Sequence, residues 1–495
     1  MKKVLALALA AVMVMALCGV AFADTDPFDA ATTVNVTVNN LMAGDTLHLY
    51  KLATPSLSAN NEMELTWSDD DIFTAIDGKS TETGYAPTAA LQAAVAKLVA
   101  DGDINVSGDG SPKGQVADGE TSVTVAAAPG YYLALVKNGT ASLEAKVIYQ
   151  NMLINVLPVP DASTGKYVSS SAKEYDVKKT EETLTKTQKE NGGTEYEATT
   201  VEGYKFGDYI PFKIETNIPS YPTNSKVAVF EIHDAPTGLN IVKNDTYPVT
   251  VKVADAEVAP SADTYSVTVA NGNLDIVFTK DYILSNPGAA VEVTYSAELL
   301  GNDIDVEVDE TNNTASIKYN NNPDEESYNE PDTEIKQKTF NFTILKHKAE
   351  DESVVLPGAK FSLWTAETNG EKITIVKDGA VYRPIKEGET APNPEVLIET
   401  DENGEATVVG LGKTTYYLQE EVAPAGYKKL TSRVAAAANE NTSPAGIDHK
   451  IPNTPGQSLP ETGGIGTTIF YIGGSILVLL AVVLLVTRRR MTGNN

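Results

Sequence analysis

Thr264-Tyr-Ser-Val-Thr-Val-Ala270, then Asn271-Gly272, then Asn273-Leu-Asp-Ile-Val-Phe278 reads as two β-strands joined by a tight turn. Apolar and polar residues alternate on both sides, which sends one face of each strand into a core and the other to solvent. Asn-Gly suits a two-residue hairpin because both central residues of its turn take positive φ. Similar alternation recurs at Thr121–Val125, Tyr247–Val253, Val291–Tyr295 and Thr314–Tyr319. Many short strands separated by turn signals predict an all-β chain of tandem Ig-like sandwiches. One helix is expected at Pro87–Ala100. There Leu91, Val95, Leu98 and Val99 share a face, Pro87 opens the first turn and Gly102 closes the last.

At 495 residues the chain is too long for one core. Composition marks the joints: a Pro/Ser/Gly/Ala stretch from Pro158 to about Lys173, an Asn/Asp/Glu/Pro stretch from Asn320 to Asp332, and Thr454–Ser458. The expected order is a signal peptide at 1–23, domains at 24–165, 166–335 and 336–455, and a terminal segment at 456–495. A formal net charge of −29 argues against nucleic-acid binding and suits a soluble, self-repelling surface.

Both ends carry export signals. Lys2 and Lys3, apolar Val4 to Leu17, and Ala21-Phe22-Ala23 form a secretory leader with its cleavage site. Cleavage after Ala23 removes Cys18, the single cysteine, so the mature chain has no disulfide and any crosslink must be of another kind. At the other end Ile469–Thr487 is apolar or small throughout, and Arg488, Arg489 and Arg490 follow at once. That is a membrane span with its basic end in the cytoplasm and the body outside.

Leu459-Pro460-Glu461-Thr462-Gly463 stands just before this span. Pentapeptide, span and charge, in that order at a C-terminus, resemble the LPXTG sorting signal of Gram-positive surface proteins. The resemblance implies that a sortase cysteine attacks the Thr462 carbonyl, releases Gly463 onward, and passes the acyl group to an amine. The membrane tail is then a transient hold.

Tyr416-Tyr-Leu-Gln-Glu420-Glu-Val-Ala-Pro424-Ala-Gly426-Tyr427 resembles the E box of backbone pilins and B-type collagen-adhesin domains, with Glu421 where the family has threonine. Glu420 shares strand parity with Leu418 and Val422, so it points into the core. Lys346 follows Phe340, Phe342 and Ile344 in phase, and Asn453 is in phase with Ile451. Lysine, glutamate and asparagine so placed resemble the self-forming isopeptide constellation. Burial disfavours the charged form of both the amine and the acid, which frees the amine to attack the asparagine carboxamide and expel ammonia. The second domain resembles the A-type version, with Lys186, Asp234 and Asn321, Asn320 being a close rival for the last.

Backbone pilins also need an acceptor lysine before the second domain. Val177-Lys178-Lys179-Thr180 fits that place best, with Lys179 preferred and Lys178, Lys173 and Lys166 as rivals. The resemblance therefore implies a structural pilus subunit arranged as an extended rod. Its partners would be pilin-specific and housekeeping sortases, identical subunits, accessory pilins, peptidoglycan and a possible host surface ligand. The alternative is a non-polymerising wall-anchored adhesin or accessory pilin. No cofactor is expected, since His48, His233, His347 and His449 have no metal-ligand spacing and the loop from Asp101 lacks calcium-loop chemistry. Enzymatic function is not expected beyond autocatalytic bond formation.

Overall fold

A computed structural model describes residues 28–29, 31–58, 63–68, 95, 111, 113–145, 147–221, 225, 227–302, 308–320, 328–439, 446–456 and 465–491. The leader, most of the expected helix at 87–100, Asn321 and the sorting pentapeptide lie outside them. Val95, from that helix, is described as helical and buried. The chain divides into two compact units: residues 1–303 with 309–339, and residues 304–308 with 340–495.

Two sandwiches build the first unit. In the first, Val34, Val36 and Val38 of strand Val34–Asn39 point inward while Asn35, Thr37 and Asn39 do not. This strand pairs antiparallel with Ser122–Ala127 and parallel with Lys173–Asp176. A second sheet runs through Met63–Trp67, Thr46–Leu57, Tyr131–Lys137 and Met152–Asn155, and Lys179–Glu181 pairs with Val147–Tyr149. The polar stretch expected to open the second domain at 166 therefore completes the first sandwich instead. Its acidic residues Glu174, Asp176 and Glu181 are exposed, and Val177, between the two short strands, is buried in the first core.

The second sandwich sets Leu184–Gln188, Tyr209–Asn217, Ala290–Leu299 and Thr250–Val253 in one sheet. Its other sheet contains Tyr265–Ala270, Asn273–Phe278, Phe230–Thr237 and Val308–Asn320. The hairpin has the expected register, Tyr265 opposite Phe278 and Ala270 opposite Asn273. Asn271 and Gly272 both take positive φ (53° and 79°), as a type I′ turn demands.

In the second unit, residues 340–348 of strand Asp332–Lys348 lie between Glu405–Leu411, antiparallel, and His449–Asn453, parallel. The other sheet holds Lys372–Ile373, Lys360–Trp364, Thr415–Val422 and Val434–Ala437. Phe340, Phe342, Ile344, Phe361, Leu363, Leu418 and Ile451 fill the core between them. Helix Ile465–Met491 follows; its Thr468–Met491 stretch has mean hydropathy 2.8 and no buried residue, and ends with Arg488–Arg490. Its 24 residues rise about 36 Å, enough to cross a bilayer core.

Candidate functional site

In the third sandwich strand alternation delivers Lys346 to the core behind Phe340, Phe342 and Ile344, and the lysine is fully buried. Ile451 stands opposite Lys346 on the parallel last strand, so Asn453, two residues on, shares the same face. Glu420 comes from the facing sheet, where it lies opposite Phe361. Lys346 Nζ donates to Asn453 Oδ1 at 2.8 Å, and Asn453 Nδ2 donates to Glu420 Oε1 at 2.9 Å. Nζ is 3.3 Å from that same Oε1, close enough to hand over a proton. The Leu430 backbone N–H donates to Glu420 Oε2 at 2.7 Å. Burial lowers the Lys346 pKa, with Glu420 opposing the shift.

The second sandwich assembles a related cluster from different positions. Leu184, Lys186 and Gln188 face inward on one sheet, and Phe230, Ile232 and Asp234 on the other. Lys186 Nζ pairs with Asp234 Oδ2, both side chains wholly shielded from solvent. Tyr295 Oη donates to the same Oδ2 at 2.6 Å and accepts from Asn313 Nδ2 at 3.1 Å. The rings of Phe212 and Tyr295 lie 5.5 and 5.9 Å from the amine. Burial pushes Lys186 down to about 8 against the pull of Asp234, and it pushes Asp234 up against Lys186, Tyr295 and Asn313.

The asparagine beside this pair is thus Asn313. Asn320, the expected rival, is committed elsewhere: its Oδ1 accepts from Val229 N–H at 2.8 Å and its Nδ2 donates to the Val227 carbonyl at 3.1 Å. Register explains why. Asp234 lies opposite Ala315 and Phe230 opposite Tyr319, so the strand end at Tyr319 is four residues, about 13 Å, from the acid. The signal for Asn313 was legible, since it shares the phase of Ala315, Ile317 and Tyr319 toward the start of the strand instead of its end.

Of the lysines expected as acceptor candidates, Lys178 is exposed between two short strands, and its carbonyl accepts from Gln150 N–H at 2.9 Å. Lys179 is half-buried in register with Tyr149, and Lys173 is half-buried opposite Val36. Lys166 closes a turn in which its N–H donates to Thr164 Oγ1 at 3.3 Å.

Tandem β-sandwiches followed by a wall-sorting tail define a secreted surface protein anchored to the cell wall. Residues 341–450 match the SpaA prealbumin-like fold domain, and residues 451–491 match the LPXTG cell wall anchor motif. Among solved structures the fold is similar to the T6 backbone pilin of serotype M6 Streptococcus pyogenes. The TM-score is 0.59 at 16% identity, over 83% of this chain and 81% of that one. It is also similar to the full-length major pilin SpaD of Corynebacterium diphtheriae, with TM-score 0.54 at 16% identity over 88% of this chain and all of that one. No curated protein matches the chain by sequence.

Proposed function

We propose that this chain is the backbone subunit of a covalently polymerised pilus, stiffened by two self-formed isopeptide bonds, Lys346–Asn453 and Lys186–Asn313. The observation that carries the reading is the pair of buried lysine, acid and asparagine clusters, each joining strands far apart in sequence. The pilin-like fold of the two similar structures supports it.

The chemistry follows from the geometry. Proton transfer from the ammonium to Glu420 or Asp234 leaves a neutral amine and a neutral acid, which the core favours over an ion pair. The amine attacks the asparagine carbonyl carbon, and a C–N bond forms. The acid donates toward the carboxamide oxygen and carries a proton from the amine to the departing nitrogen. The other C–N bond breaks, ammonia leaves, and the acid is restored.

Each bond would close a loop of more than a hundred residues (107 from Lys346 to Asn453), worth about 5 kcal/mol by the chain-entropy estimate. Polymerisation would join the Thr462 acyl group of one subunit to the Lys178–Lys179 pair of the next, through a pilin-specific sortase. A housekeeping sortase would pass the finished polymer to peptidoglycan. Exposure favours Lys178 within the pair, and Lys179 remains the choice by alignment. Boiled, denatured wall extracts test this: wild type should give a high-molecular-weight ladder, and the Lys178→Ala/Lys179→Ala double variant should give monomer alone. The two single variants tell which amine serves. A ladder in the double variant would remove this pair from the mechanism, and a single wild-type band would replace the pilus by a wall-anchored adhesin.

A further inference from the structure

Just after the Glu420 strand the chain makes a tight turn over Pro424-Ala-Gly426-Tyr427. The Tyr427 N–H donates to the Pro424 carbonyl at 3.0 Å, and Gly426, third in the turn, has φ +86°. A side chain would be strained at that φ. The far edge of the turn is paired with the segment leaving the sandwich. Gly456 N–H donates to the Gly426 carbonyl at 2.8 Å, Lys428 N–H donates to the Thr454 carbonyl at 3.0 Å, and Tyr427 lies opposite Pro455 in antiparallel register.

Chain length gives this pairing a consequence. Only Gln457 and Ser458 separate Gly456 from Leu459, a reach of about 7 Å when extended. Even a 100-residue enzyme domain has a radius of gyration of about 13 Å. A sortase closing on the pentapeptide therefore has to work within about 7 Å of the sandwich while Gly456 is held. Freeing Thr454–Gly456 lengthens the tether to five residues, about 17 Å. The opening is local: Thr454, Pro455 and Gly456 are exposed, whereas Ile451 and Asn453 are buried. Peeling therefore costs two backbone hydrogen bonds and stops at Asn453, which Lys346 holds.

We propose that the Pro424–Lys428 turn is a clamp on the sorting segment, which has to release Thr454–Gly456 before a sortase engages Leu459–Gly463. The clamp rests on the sortase reading of the pentapeptide. It gives the Pro-Ala-Gly-Tyr part of the E box a role distinct from that of Glu420.

The test follows the full-length chain in a Gram-positive host that carries its sortases, by pulse-chase from membrane-held precursor to wall-linked product. Gly456→Pro removes the donated N–H, and Gly426→Val strains the turn. Either should speed conversion roughly five-fold, the factor set by one backbone hydrogen bond. Inserting Gly-Ser-Gly after Ser458, with the clamp intact, should give the same acceleration, and deleting Gln457 and Ser458 should slow conversion. Unchanged or slower conversion in both clamp variants overturns the clamp. Thr462→Ala separates the two ideas: it should hold the precursor at the membrane, and continued wall attachment would sink the sortase reading whatever the clamp variants do.

Discussion

In the third sandwich Lys346 and Asn453 sit on neighbouring strands of one sheet, and the acid reaches across from the other. In the second, Lys186 comes from one sheet while Asp234 and Asn313 come from the facing one. The first bond would run within a sheet and the second across the core. Hydrogen bonding differs in the same sense. Lys346 Nζ already touches the amide it would attack, and both oxygens of Glu420 are occupied. Lys186 Nζ is on the acid, and Asn313 is linked to it through Tyr295. Asp234 Oδ1 and Asn313 Oδ1 have no partner, whereas among the described residues from 340 to 456 no buried side-chain nitrogen or oxygen is left unpaired. On the proposed chemistry, the third sandwich would start arranged for attack, and the second for the proton transfer that precedes it.

The largest expected effect comes from deleting the acids. Intact mass of the processed chain should be short by two ammonia molecules. Glu420→Ala and Asp234→Ala should each restore one, and the double variant both. Each loss should lower the melting temperature by about 10–20 °C, from the loop term and the stranded lysine. The asparagines sharpen the comparison. Asn313→Ala should restore one ammonia, whereas Asn320→Ala should leave the mass alone while removing side-chain hydrogen bonds to the Val229 N–H and the Val227 carbonyl. A mass that responds to Asn320 and not to Asn313 would break the proposed cluster.

Strand character and strand phase were legible because a half-buried strand writes its inward face into every second residue. Phe340, Phe342, Ile344 and Lys346 are the plainest case, and they led straight to a lysine in contact with Glu420 and Asn453. Phase does not fix register, however. On strand Val308–Asn320 it allowed an asparagine at either end, and only the pairing of Asp234 with Ala315 selects Asn313. The boundary at 166 was misplaced for a related reason. Short edge strands such as Lys173–Asp176 half-bury a single apolar side chain, here Tyr175, and otherwise carry charge, so their composition is that of a linker. Tyr295 was invisible as a site residue because its role depends on which strands face each other.

Next in size is a titration that belongs to the first unit alone. Glu182 lies between strand Lys179–Glu181 of the first sandwich and strand Leu184–Gln188 of the second, and it is 5% exposed. Its Oε2 has no partner, Tyr221 and Tyr319 are its charged-form neighbours, and burial pushes its carboxyl up to about 8. A folded-state pKa above the unfolded value means that the native state binds the extra proton. The stabilisation is complete below about pH 4.5 and is lost as pH rises toward 8, amounting to as much as about 4 kcal/mol. The melting temperature of this unit should fall between pH 5 and 9, and Glu182→Gln should flatten the curve. Equal pH dependence of wild type and Glu182→Gln would mean that this carboxyl is not what titrates.

The smallest effect tests the relay itself. Tyr295→Phe keeps the ring stacked on Phe212, with centroids 5.5 Å apart in wild type, and removes only the hydroxyl. Asp234 Oδ2 then loses one of its two donors, and Asn313 Nδ2 loses the acceptor that aims its carboxamide. The acid and the amine remain, so the bond should still form, but with the amide free to turn away. Misplacement of this kind, at one or two hydrogen bonds, corresponds to a slowing of about ten- to a hundred-fold. The measurement is the time course of ammonia loss after synthesis, followed by intact mass. The Lys346–Asn453 bond in the same molecule serves as an internal clock, because no tyrosine hydroxyl bridges acid and amide there. If Tyr295→Phe forms the second bond at the wild-type rate, Asn313 is not positioned through the hydroxyl, and the contrast between a cluster set for attack and one set for proton transfer fails. If the Lys186–Asn313 bond slows while the Lys346–Asn453 bond keeps time, the same chemistry is being run from two starting arrangements, and the tyrosine is what lets the cross-sheet geometry work.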